Sequence, residues 1–219
     1  MKSHFDISNT YIVKDNFREF NIHRCLKYIE KQGKKTYGQS FSIYEEDRLS
    51  ILKLLVYAIN DQNNADKLEI DLNKGILLSG PVGCGKTSLM HLIKPFFNTK
   101  YSYKIKSTRE IAFEFSKNGF DSFNPYIQNL VNLKRLNGYC FDDLGSEPKI
   151  KHFGVECNVM REILLSRYEA NIESKAITHI TTNLSATEIE SLYGCDLRSR
   201  MREMFNVIGF SSNSLDKRV

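Results

Sequence analysis

Residues 75–88 read GILLSGPVGCGKTS. A short apolar run is followed by a glycine-rich loop that ends in Lys-Thr-Ser. Gly80, Gly85, Lys86 and Thr87 fit the pattern G-x-x-x-x-G-K-[ST], so the loop comprises Gly80, Pro81, Val82, Gly83, Cys84, Gly85, Lys86, Thr87 and Ser88. Glycine lets the backbone curl until successive N–H groups face phosphate oxygens. Lys86 brings a compact positive charge to the β- and γ-phosphates, and the Thr87 hydroxyl suits Mg²⁺. A helix starting at the loop aims its positive end at the same anion. At average composition, four fixed positions match by chance in about one chain in a hundred of this length. An apolar strand before the loop and a helical pattern after it narrow the reading to a phosphate site on an α/β sheet.

Three further stretches fit that site. YCFDDLGSE, residues 139–147, is an apolar strand that delivers carboxylates at its C-terminal edge. Asp142 is placed to hold Mg²⁺ and Asp143 to polarise an attacking water. ITTNL, residues 180–184, ends a strand in Asn183, whose amide can reach a γ-phosphate oxygen or that water. Asn is also a common turn former and helix cap. LRSRMRE, residues 197–203, carries Arg198, Arg200 and Arg202 on an expected helix. They cannot all face one way. They read either as a solvated basic face or as a source of an arginine supplied across a subunit interface.

Strand and helix patterns alternate from residue 40 onward. EEDRLSILKLLVYAIND reads as a helix with Leu49, Leu52, Leu55, Val56 and Ile59 on one face. Strands are expected at GILLS, YSYKI, GYCFDDL, AITHITTN and FNVIGF, with helices at KTSLMHLIKPFF, STREIAFEFSKNG, residues 121–136, VECNVMREILLSRYEAN, SATEIESLYG and DLRSRMREM. This alternation defines an α/β fold with a mainly parallel sheet covered on both faces. Residues 1–39 differ: Lys2, Lys14, Arg18, Arg24, Lys27, Lys31, Lys34 and Lys35 face four acids. The expectation is a basic, helical N-terminal arm over 1–39 followed by one nucleotide-binding domain over 40–219. The arm reads as a helix packed on that domain or as an arm for DNA or a partner protein.

Bulk properties agree with a water-soluble chain. Of 219 residues, 41% are hydrophobic and 26% charged, and the net charge of +5 permits nucleic-acid contact without arguing for it. MKSHFDISNT has no apolar signal-peptide core, and ILKLLVYAI is too short to span a bilayer and carries Lys53. Cys25, Cys84, Cys140, Cys157 and Cys195 form no C-x-x-C pair, so the expectation is reduced thiols in a cytoplasmic protein. Lys100, Lys104, Lys106 and Arg109 lie close in sequence to Tyr101 and Tyr103. The two tyrosines either stack on single-stranded bases or face the core from one side of a strand.

The four elements in this order resemble the AAA+ ATPases, and within them the branch of DnaC-type helicase loaders and IstB-type transposition helpers. That branch shows a G-x-x-G-x-G-K-T loop, a strand ending D-D-L-G, a downstream R-Y helix, a T-T-N-L strand end and Y-G-…-S-R-[LM]. Here these read GPVGCGKT, FDDLGSE, SRYEA, TTNL and YGCDLRSRM, over roughly residues 70–210. The loop and TTNL occur in many phosphate-loop proteins; DDLG together with YG…SRM narrows the choice.

The resemblance implies a three-layer P-loop NTPase with a five-stranded sheet. With nine residues after FNVIGF, no full helical lid is expected. It implies ATP and Mg²⁺, with Lys86 and Thr87 as the Walker A pair and Asp142 as the Walker B carboxylate. Asp143 stands where most AAA+ proteins have Glu, so slow hydrolysis is expected, with Glu147 a weaker alternative base. Asn183 matches sensor 1, and Arg200 the finger acting on a neighbour's nucleotide. Arg167 is read as a second interface arginine, and Arg218 as a stand-in for the lid's sensor-2 arginine. The implied partners are further copies of the chain, a DNA-associated protein such as a helicase or transposase, and single-stranded DNA. The arm is short for a helicase-docking domain. Two other functions remain open on the residues: a nucleotide-gated adaptor with little hydrolysis, and a small-molecule kinase, for which 145–154 is short as a basic lid.

Overall fold

A computed structural model of the chain describes residues 6–127, 138–152, 154–174 and 177–218. Its centre is a five-stranded sheet of β3 (Gly75–Ser79), β4 (Tyr103–Ser107), β5 (Gly138–Leu144), β8 (Thr178–Thr182) and β9 (Phe205–Gly209), in the spatial order β4-β5-β8-β3-β9. Every neighbouring pair is parallel. β3, held between β8 and β9, is apolar on both faces, as a central parallel strand must be.

Helices cover both faces. On one, α1 (Ile22–Tyr37), α2 (Arg48–Ile59), α3 (Gln62–Lys67) and α4 (Lys86–Ile93) pack Ile29, Leu54, Leu55, Met90 and Ile93 against Ile76, Leu78 and Ile208 of the sheet. On the other, α5 (Thr108–Asn118), α6 (Asn124–Ile127), α7 (Val159–Ser174), α8 (Ala186–Tyr193) and α9 (Cys195–Met204) surround Leu77, Phe141 and Ile180. Ile76 and Leu78 face one core and Leu77 the other, the two-residue alternation of a strand. The result is a three-layer α/β fold.

α2 departs from the face expected of it. Ile51, Leu54, Leu55 and Ala58 are buried, whereas Leu49 is 58% exposed. The helix is apolar on nearly every side, so its sequence offers no sharp stripe to read. α7 begins at Val159 because Val155–Cys157 forms strand β7, paired antiparallel with β6 (Ile150–His152). Of the helix expected over 121–136, α6 accounts for four residues; 128–136, like Lys2, lies outside the described residues.

The first part of the chain holds more than a helix. β1 (Tyr11–Lys14) and β2 (Phe17–Phe20) form a hairpin around Asp15 and Asn16, both left-handed at φ 49° and 65°. Two such residues make the turn that matches strand twist. α1 follows, capped by the Asn21 side chain, which accepts the Arg24 N–H at 3.0 Å. It buries Cys25, Tyr28 and Ile29 in the same core as α2 and α4. Among the described residues, all five cysteines are free and no helix is long and apolar enough to cross a membrane.

Candidate functional site

The carboxyl ends of β3, β5 and β8 open onto a cavity of about 770 Å³, the size of sites for cofactors and other small ligands. In open parallel sheets such sites form where the strand order reverses. Here β3 lies between β8 and β9, while β4, the next sheet strand along the chain, sits at the far edge.

The glycine-rich loop connects β3 to α4 and lines this cavity from Val82 through Leu89. Gly83 and Gly85 adopt φ of +81° and +99°, the left-handed backbone that the curl requires. Gly85 caps α4, whose first N–H groups have no carbonyl within the helix to bond. Lys86 is nearly buried, with its Nζ 2.8 Å from the carbonyl oxygens of both Gly80 and Pro81. The ammonium is thereby held across the mouth of the loop. Burial pushes the Cys84 thiol up, so the cysteine stays protonated.

The carboxylates come next. Asp142 Oδ1 accepts two hydroxyl bonds, from Thr87 at 2.8 Å and from Thr181 at 2.7 Å. The Thr181 oxygen in turn accepts the Asp143 N–H at 2.8 Å. Asp143 itself is left-handed, at φ 62°, where the β5–β8 register shifts between Phe141 and Leu144. This bulge turns the residue out of the strand, and Thr108 Oγ1 fixes the turn by donating to the Asp143 carbonyl at 2.9 Å. Asp143 and Asn183 are exposed, both line the cavity, and among the described residues no hydrogen bond holds their side chains. A strained backbone at an exposed carboxylate is a common feature of reactive sites.

Glu147 is differently placed. One of its oxygens accepts the Gly145 N–H at 2.9 Å and the other accepts the Tyr193 hydroxyl. It braces the turn after β5.

These residues fit a Mg²⁺-nucleotide. Mg²⁺ takes a hydroxyl and one or two carboxylates from protein and the rest of its oxygens from phosphate and water. Thr87 and Asp142, already 2.8 Å apart, would make such a donor pair. Arg218 also lines the cavity, whereas the cavity's aromatic end has no counterpart among the sequence expectations. Tyr37 at the end of α1, with Phe41, Ile43 and Tyr44 from the following loop, forms an apolar end suited to a nucleoside. The available signal was an aromatic cluster between Gly38 and the acids that open α2. In ITTNL the Thr181 hydroxyl, near Asn183 in sequence, ties both acids of β5 to β8.

The arginines divide. Arg200 lies outside its own chain's cavity, its guanidinium 5.4 Å from the Tyr168 ring and 3.7 Å from Asp196. Arg198 pairs with Glu190, and Arg202 is exposed. Arg167 cannot serve as an interface residue: it is fully buried, donating to Thr178 Oγ1 at 2.9 Å and to the Tyr126 and Ile177 carbonyls at 2.6 and 2.9 Å. The basic-aromatic stretch is also partly consumed. Tyr103 is 2% exposed and donates to the Met90 carbonyl, so it cannot stack on a base. Lys106 lies between Glu110 and Glu114.

Among solved structures, the chain resembles the DnaC helicase loader, with a TM-score of 0.55 and 18% identity over 78% of this chain and 93% of that one. It resembles DnaI similarly, at a TM-score of 0.53 and 18% identity over 80% of this chain and 88% of that one. A likeness to AMPPCP-bound DnaA from Aquifex aeolicus is weaker, at 0.48 and 17% over 78% and 48%. No protein-family description and no curated protein matches the sequence. At such identities the likeness is one of fold. The fold is that of an AAA+-type P-loop NTPase, a five-stranded parallel sheet between two helical layers.

Proposed function

We propose that the chain binds ATP with Mg²⁺ and hydrolyses it within a homo-oligomer, and that the cycle loads or remodels a DNA-associated protein such as a helicase or transposase. The observation that carries this reading is the convergence on one cavity of a loop lysine, a carboxylate anchored by two hydroxyls, a free carboxylate and a free amide. The arginine of the SRM stretch lies outside that cavity on its own chain, where a neighbouring protomer can use it.

The roles follow from chemistry. Lys86 and the backbone N–H groups from Gly83 to Thr87 hold the phosphates. Thr87 and Asp142 hold Mg²⁺, which when bound neutralises developing charge on the phosphate oxygens. Asp143 accepts a proton from the attacking water and Asn183 orients that water, giving ADP and phosphate from ATP and water. Arg200 of the adjacent protomer supplies transition-state charge, so turnover depends on assembly. The short carboxylate of Asp143, fixed in a tight turn, favours slow turnover. In this reading residues 40–219 form the ATPase domain, α1 of residues 1–39 packs on it and brings Tyr37 to the cavity, and the hairpin with its exposed Phe17 meets the partner. The fold shared with a helicase loader supports the class of partner. Single-stranded DNA is a further ligand only through surfaces other than Tyr103.

The test is nucleotide binding and ATP turnover for the wild type, Lys86→Ala and Asp143→Asn. The reading expects Lys86→Ala to lose binding, and Asp143→Asn to bind Mg·ATP as the wild type does but lose turnover by at least about a hundredfold. Turnover in Asp143→Asn at the wild-type rate would remove that residue as the base. Tight binding by the wild type with no turnover at any concentration would replace the ATPase by a nucleotide-gated adaptor.

A further inference from the structure

The segment after β9 returns to the phosphate loop. Phe210 extends the ladder by donating its N–H to Ser79 O at 2.8 Å, and a turn at Ser211–Ser214 redirects the chain. Lys217 then meets the loop twice. Its backbone N–H donates to Gly83 O at 3.1 Å, and its Nζ donates to Cys84 O at 3.2 Å. The same Nζ pairs with Asp47, a carboxylate only 4% exposed, and lies over the rings of Tyr44 at 4.9 Å and Phe210 at 5.3 Å. The approach is close enough that a Cβ at Gly83 would lie 2.1 Å from Asp216 Oδ1. Arg218 lines the cavity, but the residue tied to the loop is its neighbour Lys217.

Two successive peptide planes are therefore fixed by one residue. In a planar trans peptide the C=O and the following N–H point in opposite directions. With Gly83 O and Cys84 O both turned to Lys217, the N–H groups of Cys84 and Gly85 are turned away from it. Cys84 N–H makes only a long 3.5 Å approach to Pro81 O. We propose that Lys217 is a positioning residue of the phosphate loop, clamping the Gly83 and Cys84 carbonyls so that the Cys84 and Gly85 N–H groups are presented to the phosphates before nucleotide arrives. This rests on the nucleotide-binding reading above. The ammonium's own charge is balanced by Asp47, so the effect runs through the orientation of the loop and not through attraction of the anion at long range.

Replacing Lys217 alone leaves the buried Asp47 carboxylate unpaired and threatens the fold. The informative variant is therefore Asp47→Asn with Lys217→Met, which removes both charges and the ammonium's bond to Cys84 O while keeping the apolar stem and the backbone bond to Gly83 O. Lys217→Arg retains the donor. Binding of Mg·ADP is measured by titration, with thermal unfolding and steady-state turnover alongside. The clamp predicts a folded double variant that binds ADP at least about tenfold more weakly, with KM raised by a similar factor and kcat within about twofold. Lys217→Arg binds within about threefold of the wild type. A folded double variant with wild-type affinity overturns the clamp by the Lys217 ammonium, and so does a loss confined to kcat. Absence of ADP binding in the wild type, with Lys86→Ala indistinguishable from it, defeats the nucleotide reading itself.

Discussion

Thr181 Oγ1 lies 2.7 Å from Asp142 Oδ1 and donates to it, while accepting the N–H of Asp143 at 2.8 Å. One buried hydroxyl on β8 thus orients the carboxylate of Asp142, the proposed Mg²⁺ ligand, and anchors the turn that exposes Asp143, the proposed base. Thr181→Val preserves shape and deletes both bonds. The expected outcome is a fall in kcat of about tenfold, with nucleotide affinity changed by less than about threefold, and recovery in Thr181→Ser. Steady-state kinetics beside equilibrium binding decides it.

Arg167 predicts a stability effect. Its guanidinium satisfies the Tyr126 and Ile177 carbonyls and lies 5.5 Å from the centre of the Tyr139 ring, wholly inside the protein. Burial lowers its pKa to about 10, so it remains charged at neutral pH. Arg167→Met strands those carbonyls and lowers unfolding free energy by about 3 kcal/mol. Denaturant unfolding measures this. Unchanged stability together with lost assembly would restore Arg167 to an interface.

His179 makes the fold acid-sensitive. It is fully buried, Nδ1 accepts the Ile76 N–H at 3.0 Å, and the rings of Tyr57, Phe97 and Tyr103 surround it. Burial, aided by the Arg167 charge, lowers its pKa from 6.5 to about 3. Between those values the unfolded chain binds a proton that the folded chain does not. The stabilisation is therefore complete above pH 6.5 and is lost towards pH 3, at about 1.4 kcal/mol per pH unit. The unfolding midpoint is expected to fall between pH 7 and pH 5, and His179→Asn to flatten that slope. An equal slope in the variant would assign the acid sensitivity to other groups.

The sequence was most legible where local chemistry is strict. GILLSGPVGCGKTS admits one backbone path, and β3, the loop and α4 follow it. The parallel sheet was readable because strands buried on both faces are continuous apolar runs. Less was legible where tertiary packing decides. α2 is apolar all round, so Leu49 and Ile51 could not be ranked until the sheet was in place. The Asp15–Asn16 hairpin lacks the glycine that usually marks a two-residue turn. In SRYEA and YSYKI, Arg167 and Tyr103 carry residue types that suit surfaces; their buried acceptors come from segments distant in sequence. Lys217 meets the phosphate loop 133 positions away from Cys84, a pairing that no local pattern encodes.

In the proposed cycle, Arg200 of one protomer completes its neighbour's site. The most direct measurement is ATP turnover per subunit, against concentration, for the wild type, Lys86→Ala, Arg200→Ala and an equimolar mixture of the two variants. The account predicts wild-type turnover that climbs with concentration, two inactive variants, and recovered turnover in the mixture, where some interfaces join an intact lysine to an intact arginine. Wild-type activity in Arg200→Ala, or a mixture as inactive as its components, would contradict it.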